Sequence, residues 1–522
     1  MDKTIRLASA GLLALTALAG CATGPAYQRP DAPLAAVYHS ADALAGRVAV
    51  LPAPALDAWW DGFDDPALQR IVARVLAQNL DLAAAMERVD QARAAARMAD
   101  ARLLPEGSLT ASAAHQRQSV NSPIGKIASS FPGYNREQSL YDAGLGASWE
   151  LDVAGGLQHG AQAASAEAQA AEADRLGVRV SVTAEAADAY FRVRGAQRRI
   201  ALAQEQIATN GRLLELVRLR LADGLASSRE AAQAEALVSQ ARATVPPLRI
   251  ELEVQLNRLD VLMGATPGTY AAELAMPAAP TAIGAPAGLP ASGGAVAAEG
   301  GGAEAAAGSP VAGGGAGAAA GLAPEMRVPA IALSQGPADL LRRRPDVIAA
   351  ERRLAASNAQ IGAAMAEYYP KVTLSALLGL SSLGTTGLLT TAPLQPQAAA
   401  GLRWRLFDFG RIDADVARAK GANAEALAAY RKAVLHAAED VENAVVTLTQ
   451  LEDQHAELAQ EVDAHARARD ASKLAYKGGA VSLYEVLEDQ RQLLTSRDQM
   501  ARVNADNARA AVATFRAAGG GW

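Results

Sequence analysis

Two periodicities divide this chain. In four stretches apolar and polar residues alternate with a period of two, which predicts strands. Leu145, Ala147, Trp149, Leu151 and Val153 fall on one face, with Gly146, Ser148, Glu150 and Asp152 on the other. Leu402, Trp404 and Leu406 alternate with Arg403 and Arg405, and Leu109, Ala111 and Ala113 alternate with Thr110 and Ser112. Val372, Leu374, Ala376, Leu378 and Leu380 make a fourth apolar face. The strands are predicted at about 107–119, 143–153, 371–381 and 399–408. Two other stretches, 157–222 and 411–476, contain no proline. As single helices each would reach about 100 Å, far beyond the mean helix. In the second, Leu427, Tyr430, Val434, Ala437, Val441, Ala444, Leu448, Leu451, His455, Leu458, Val462 and His465 alternate spacings of three and four. That heptad seam predicts a coiled coil. His455 and His465 lie on it as packing or surface residues rather than metal ligands. Gly224 and Gly479 follow the two long helices as left-handed caps, and a partner helix follows each, so each pair predicts an antiparallel hairpin.

These elements occur twice. A helix starts at Asn79-Leu80-Asp81-Leu82 and ends at Leu104-Pro105; another starts at Arg344-Pro345-Asp346-Val347 and ends at Tyr369-Pro370, 265 residues later. From Trp149 to Trp404, Gly224 to Gly479 and Gly264 to Gly519 the offset is a constant 255. A shared offset across separate landmarks is the mark of internal duplication. One repeat is assigned to 66–276 and the other to 327–522; between them 277–326 is a Gly/Ala/Pro-rich, low-complexity linker.

Strands of about ten residues, apolar outside and polar inside, are the signature of a transmembrane barrel. Glu150, Asp152, Arg403 and Arg405 would then face its lumen. Trp149, Trp404, Phe407, Phe409, Tyr368 and Tyr369 would mark its interfaces with the membrane. A half-buried soluble sheet is the competing reading; the aromatic flanks and the N-terminus favour the barrel. Four strands cannot enclose a channel, so identical chains must share one barrel about a symmetry axis, in a number the pattern does not fix. The fold class is α+β, mainly α: an internally duplicated chain of long antiparallel coiled-coil hairpins plus four strands.

Composition adds a location. Lys3 and Arg6 precede the mostly apolar Leu7–Leu18, and Leu18-Ala19-Gly20-Cys21 follows, which predicts a lipoprotein signal peptide over 1–20 and lipid on Cys21. Ala22 is not the aspartate of an inner-membrane retention signal, so the lipid belongs in the outer membrane, heading a lipidated segment over 21–65. Cys21 is the only cysteine among 522 residues, which excludes an internal disulfide and Cys-based metal sites. The net charge of −6 without a dense basic patch argues against nucleic acid. No later stretch predicts a spanning helix. No phosphate loop, zinc signature or nucleophile elbow is present, so no catalytic activity, metal or cofactor is expected.

A barrel shared around a channel would leak if permanently open, and the end away from the strands is the pair of hairpin tips at Gly224 and at Gly478-Gly479. Glu485 and Glu488 follow, three residues apart on one helical face, and would recur around a narrow axis. Rings of carboxylates attract cations and hold back anions. The alternative is an ordinary helix start, where acidic residues suit the dipole, with the two glycines as caps alone.

Together these residues resemble the TolC-type outer-membrane factors, in the OprM/NodT lipoprotein branch that serves RND efflux pumps. The resemblance runs over nearly the whole chain: Leu18–Cys21, Gly24-Pro-Ala-Tyr-Gln-Arg-Pro30, Trp59-Trp-Asp-Gly-Phe-Asp-Asp-Pro66, Asp339-Leu-Leu-Arg-Arg-Arg-Pro-Asp346, Ala350-Glu-Arg-Arg-Leu354, Ile361-Gly-Ala, Leu406-Phe-Asp-Phe-Gly-Arg411, Glu439-Asp-Val-Glu-Asn443 and Gly519-Gly-Gly-Trp522. Each motif is weak singly; in this order and spacing they are specific. The linker is longer than the family leads one to expect. The resemblance implies a homotrimer whose chains complete a 12-stranded transmembrane β-barrel above an α-helical barrel of twelve long helices. It also implies a passive conduit for drugs or other small molecules, a periplasmic membrane-fusion adaptor docked on the tips, and an inner-membrane RND pump that supplies the energy. By the same resemblance Glu485 and Glu488 match an acidic tip ring, Tyr476 a tip tyrosine that holds the hairpins together, and Glu230 an acidic partner in the first repeat. Val481 stands where the resemblance expects an arginine of a tip salt bridge. A duct for type I protein secretion or heavy-metal export shares the same fold. A trimeric adhesin does not fit, because strands and helices interleave twice.

Overall fold

A computed structural model describes residues 23–32, 34–45, 47, 51–274, 326–331, 336–385 and 390–522. The signal segment, Cys21 and the linker up to residue 325 lie outside the described residues. The order is α1 (Pro66–Gln78), α2 (Leu80–Ala101), β1 (Glu106–Arg117), β2 (Glu137–Leu151), α3 (Gly156–Ala222), α4 (Ser228–Ala243), α5 (Val245–Leu262), α6 (Pro345–Ala366), β3 (Lys371–Ser382), β4 (Leu394–Arg403), α7 (Arg411–Lys477) and α8 (Leu483–Ala517), with short helical turns between. Both long helices, α3 and α7, have 67 residues, a length of about 100 Å each. The return of the first hairpin is broken at Thr244, ahead of Pro246 and Pro247, whereas α8 runs unbroken.

The heptad seam of α7 is inward as expected: Tyr430, Val434, Ala437, Val441 and Leu448 are buried. The first four pack with Leu340, Val347 and Leu354, and Leu448 joins the core around Trp59 and Phe515. This second core joins the halves. Trp59 stacks on Phe515 with ring centroids 5.5 Å apart, and Phe63 meets Phe191 at 4.9 Å. The Tyr190 hydroxyl donates to Asp65 (2.6 Å), whose other oxygen accepts from the Ala67 amide and caps α1. Burial and that carboxylate push the Tyr190 phenol far above its usual value. Gly519, with φ 77°, lies so close to the Arg343 carbonyl that a Cβ would sit 2.4 Å from its oxygen.

The four strands form one antiparallel sheet in the order β1-β2-β3-β4. Its register aligns the alternation across all four. Leu109, Leu145 and Leu378 share a row, as do Ala147, Ala376 and Ala398, and Leu151, Val372 and Leu402. This apolar face is open in the single chain, with Leu109 76%, Leu145 59% and Leu402 68% exposed. Serine, threonine and glutamine dominate the other face, which includes Ser108, Thr110, Ser148, Thr373, Ser375 and Gln397. Strands β1 and β4 each have one unpaired edge.

Two expected strands are displaced. β2 begins at Glu137, because the hairpin ladder with β1 continues to Arg117, and ends at Leu151 rather than 153. β4 covers Leu394–Arg403, not 399–408. Pro396 reads as a boundary in sequence, yet proline is tolerated on an edge strand. Arg403 is the last residue to find a partner, Lys371, where β3 begins after Pro370. Asp152 and Arg405 are therefore not strand residues in a lumen. Asp152 accepts from the Leu157 and Gln158 amides (3.1 and 2.7 Å) and caps α3, while Arg405 pairs with Glu367 at 3.0 Å. Asp408 does for α7 what Asp152 does for α3, accepting from the Gly410 and Ile412 amides.

The N-terminal segment begins against the end of β2 in the first half and then lies along the second. The Thr23 side chain donates to the Ala154 carbonyl (2.9 Å), and the Tyr27 hydroxyl to Glu351 (2.5 Å). The His39 and Ser40 amides donate to Glu442 (2.6 and 2.9 Å), and Arg47 binds Glu452 at 2.8 Å.

Candidate functional site

The two hairpin tips are built alike. Gly224 (φ 73°) and Gly479 (φ 75°) take the left-handed conformation that ends each long helix. The next amides, of Leu225 and Ala480, reach back to the Arg220 and Ala475 carbonyls at 2.8 and 2.9 Å. Gly478 does not share this role: its φ is −82°, ordinary helical backbone.

Each return helix then opens with a capping box. Ser227 caps α4, accepting from the Glu230 amide, and the Glu230 carboxylate accepts from the Ser227 amide (2.6 Å) and hydroxyl. Ser482 and Glu485 repeat this at α8, with the carboxylate 3.2 Å from the Ser482 amide. Glu485 thus occupies the helix-start role, turned back on its own cap. Glu488 accepts instead from Arg491 (2.5 Å) and Gln492 (3.0 Å). Arg491 beside it holds the Glu488 carboxyl below the usual range, and the Ser227 amide does the same for Glu230.

Between the tips is a cleft of about 800 Å³. Leu213, Val217, Leu237 and Leu487 give it an apolar floor, and Glu230, Tyr476, Val481 and Glu488 line it together with Arg220 and Arg491. Three of the four expected gate residues, Glu230, Tyr476 and Glu488, thus share one cleft, whereas Glu485 is outside its lining. Sequence reading missed Arg220 and Arg491. Their spacing along one helix offered a signal only for Arg491, which follows Glu488 by three residues. Farther from the tips, ion pairs tie the two hairpins. Arg199 on α3 binds Asp498 on α8 through both oxygens, and Asp188 on α3 accepts from Arg509 at 2.6 Å.

On the polar sheet face Glu150 is 3.9 Å from Lys371, and Lys371 also contacts Glu367. No group of His, Cys, Asp and Glu among the described residues is arranged to hold a metal ion. No described helix is long and apolar enough to cross a membrane.

A family model described as "Outer membrane efflux protein" matches residues 71–265 and 336–520. The pyoverdine export outer membrane protein OpmQ of Pseudomonas aeruginosa is 31% identical over 520 residues, covering 100% of this chain and 97% of that protein. Nodulation protein T of Rhizobium leguminosarum bv. trifolii is 30% identical over 491 residues, 93% of this chain and 91% of that protein. The solved outer-membrane channel OprN superposes with a TM-score of 0.75 at 28% identity, over 96% of this chain and 100% of that one.

Proposed function

This chain belongs to the outer membrane efflux protein family and is an outer-membrane channel of a tripartite efflux pump; from that premise we propose that it works as a homotrimeric, lipid-anchored exit duct, closed at rest at its helical tips. Three copies of the sheet would close a 12-stranded barrel, with the open apolar rows toward lipid and the serine, threonine and glutamine face toward the lumen. The observation that carries this is the sheet: an apolar face in register across four strands, exposed to solvent, with an unpaired edge on each side. A sheet in that state is complete only in a closed barrel within a membrane. Below it the hairpins would line a passage across the periplasm, and cargo would move passively, driven by the pump.

Internal duplication accounts for the twin tips, the equal long helices and the paired family matches, whose starts differ by 265 residues and whose ends differ by 255. Cys21, two residues ahead of Thr23 at the strand–helix junction, would place its lipid at the membrane-proximal end. The tips would receive the periplasmic adaptor, which couples to an RND pump in the inner membrane. In this reading Glu488, Tyr476 and Glu230, which share the cleft where the two tips meet, form the closure of the passage, and Glu485 contributes its charge from the mouth of each α8.

The test is single-channel conductance of the purified assembly in a planar bilayer, with and without Glu485→Gln and Glu488→Gln. Glutamine keeps the capping box while removing charge. The expected wild-type conductance is small and cation-selective, and it grows or loses selectivity in the variant. Unchanged conductance and selectivity would remove these residues from the gate. Absence of channels from a folded assembly would overturn the duct.

A further inference from the structure

Arg403 closes β4 under an electrostatic conflict. It lies directly across the ladder from Lys371, and like charges facing each other on neighbouring strands destabilise a sheet. Lys371 is compensated by Glu367 and Glu150, and Arg405 by Glu367. Arg403 is exposed, and among the described residues it has no acidic partner. Its own side of the ladder is occupied by Lys371, so relief has to come from the open edge of β4. At the other open edge, Glu106 begins β1, also exposed and without a partner among the described residues. Both residues sit at the helix-proximal base of their strands, and both belong to the polar face: Glu106 shares a row with Ser148, Ser375 and Ala399.

We propose that Arg403 of one copy pairs with Glu106 of the next, forming the ion pair that closes each seam of the barrel; this rests on the trimeric barrel of the preceding section. The strands alternate in direction, so β4 meets the neighbour's β1 antiparallel, with its last residues beside that strand's first. Side-chain alternation restricts the stagger per chain to even numbers, since an odd slip turns leucines into the lumen. The row of Glu106 reaches β4 at Ala399, four residues short of Arg403. With about 3.3 Å per residue and 4.8 Å between strands, staggers of zero and two give tilts near 0° and roughly 19°, too shallow for a membrane barrel. In the direction that carries the neighbour's Glu106 toward the end of β4, a stagger of four places Glu106 opposite Arg403 at a tilt of roughly 35°, and six places the two on a diagonal at roughly 46°, at or close to the expected range; the opposite direction would leave the two eight or more residues apart. An arginine side chain reaches a carboxylate in either geometry.

The experiment is a charge swap read by the heat stability of the detergent-resistant trimer. Glu106→Arg alone is expected to lower its dissociation temperature by about 3 °C or more, with Glu106→Gln lowering it less; Arg403→Glu loses the seam pair but gains Lys371 across the ladder, so its loss is expected to be smaller. The double variant, which restores the pair in reverse, is expected to regain most of the loss. A Glu106→Arg variant as stable as wild type, or single effects that simply add in the double variant, would overturn the seam pair. If the wild-type protein itself yields no trimer, the assembly reading fails, a result distinct from either of these.

Discussion

Arg199 and Asp498 face each other across the two hairpins, with Nε 2.8 Å from one carboxylate oxygen and Nη2 3.0 Å from the other. The pair joins α3 to α8 well above the tips, so any parting of the hairpins below it leaves it intact and any parting beyond it must break it. The bidentate geometry and half-buried position make it stronger than an ordinary surface pair. Replacing either residue with alanine is expected to cost roughly 1 kcal/mol. A double-mutant cycle on thermal unfolding should show that the two losses do not add. The resting conductance should rise in the same variants.

The three tip glycines are expected to separate. Gly224→Ala and Gly479→Ala force a side chain into left-handed backbone and should each cost about 1–2 kcal/mol. Gly478→Ala should be close to neutral, because its φ is −82° and the nearest atom to a new Cβ is the Ala475 carbonyl oxygen at 3.5 Å. Amide exchange in the last turn of α3 for Gly224, and of α7 for Gly478 and Gly479, distinguishes the three.

Acid should loosen the cap of α4. The Glu230 carboxyl lies below its ordinary value of 4.5, first because of the Ser227 amide and then its hydroxyl. A depressed carboxylate stabilises the folded state above its ordinary value, and that stability is lost as pH falls through the folded value. Exchange of the amides of Ser227–Ala231, corrected for intrinsic rates, should therefore accelerate as pH drops below about 4.5. Glu230→Gln keeps the hydrogen bonds of the box and should abolish that pH dependence. Glu488, depressed by Arg491, follows the same sign.

The N-terminal segment should detach when Glu442 is replaced. Its carboxylate accepts from two successive amides, those of His39 and Ser40, and Glu442→Ala leaves both donors without that acceptor. The expected result is proteolytic cleavage in the thirties of the sequence, at rates several times those of wild type, with the β-sheet and both hairpins still protected.

How far the sequence revealed this molecule depends on the range of each signal. The α7 seam was readable from Tyr430 to Leu458 because a heptad is written locally. The strand faces were readable for the same reason. Strand ends were not: β4 stops at Arg403 because Lys371 is the last partner available, which is a property of another segment. Asp152 looked like the next polar strand residue, yet the turn into α3 recruits it as a cap. At the tips, Ser482-x-x-Glu485 spells a capping box in plain sequence, so the helix-start alternative weighed for Glu485 is the geometry it adopts. Arg220 in the cleft and the Arg199–Asp498 tie depend on how one hairpin lies against the other, which no single segment encodes.

The open apolar rows of the sheet also bear on the chain's life before assembly. Leu109, Leu145 and Leu402 face water in a lone copy, and both sheet edges offer unpaired backbone groups. Such a surface joins whatever strand it meets first, whether the right neighbour or an unrelated one. If the chain assembles as proposed, a newly exported copy is a hazard whose duration depends on how soon it meets its own kind. Its yield should fall when synthesis outruns the escort proteins of the compartment it crosses.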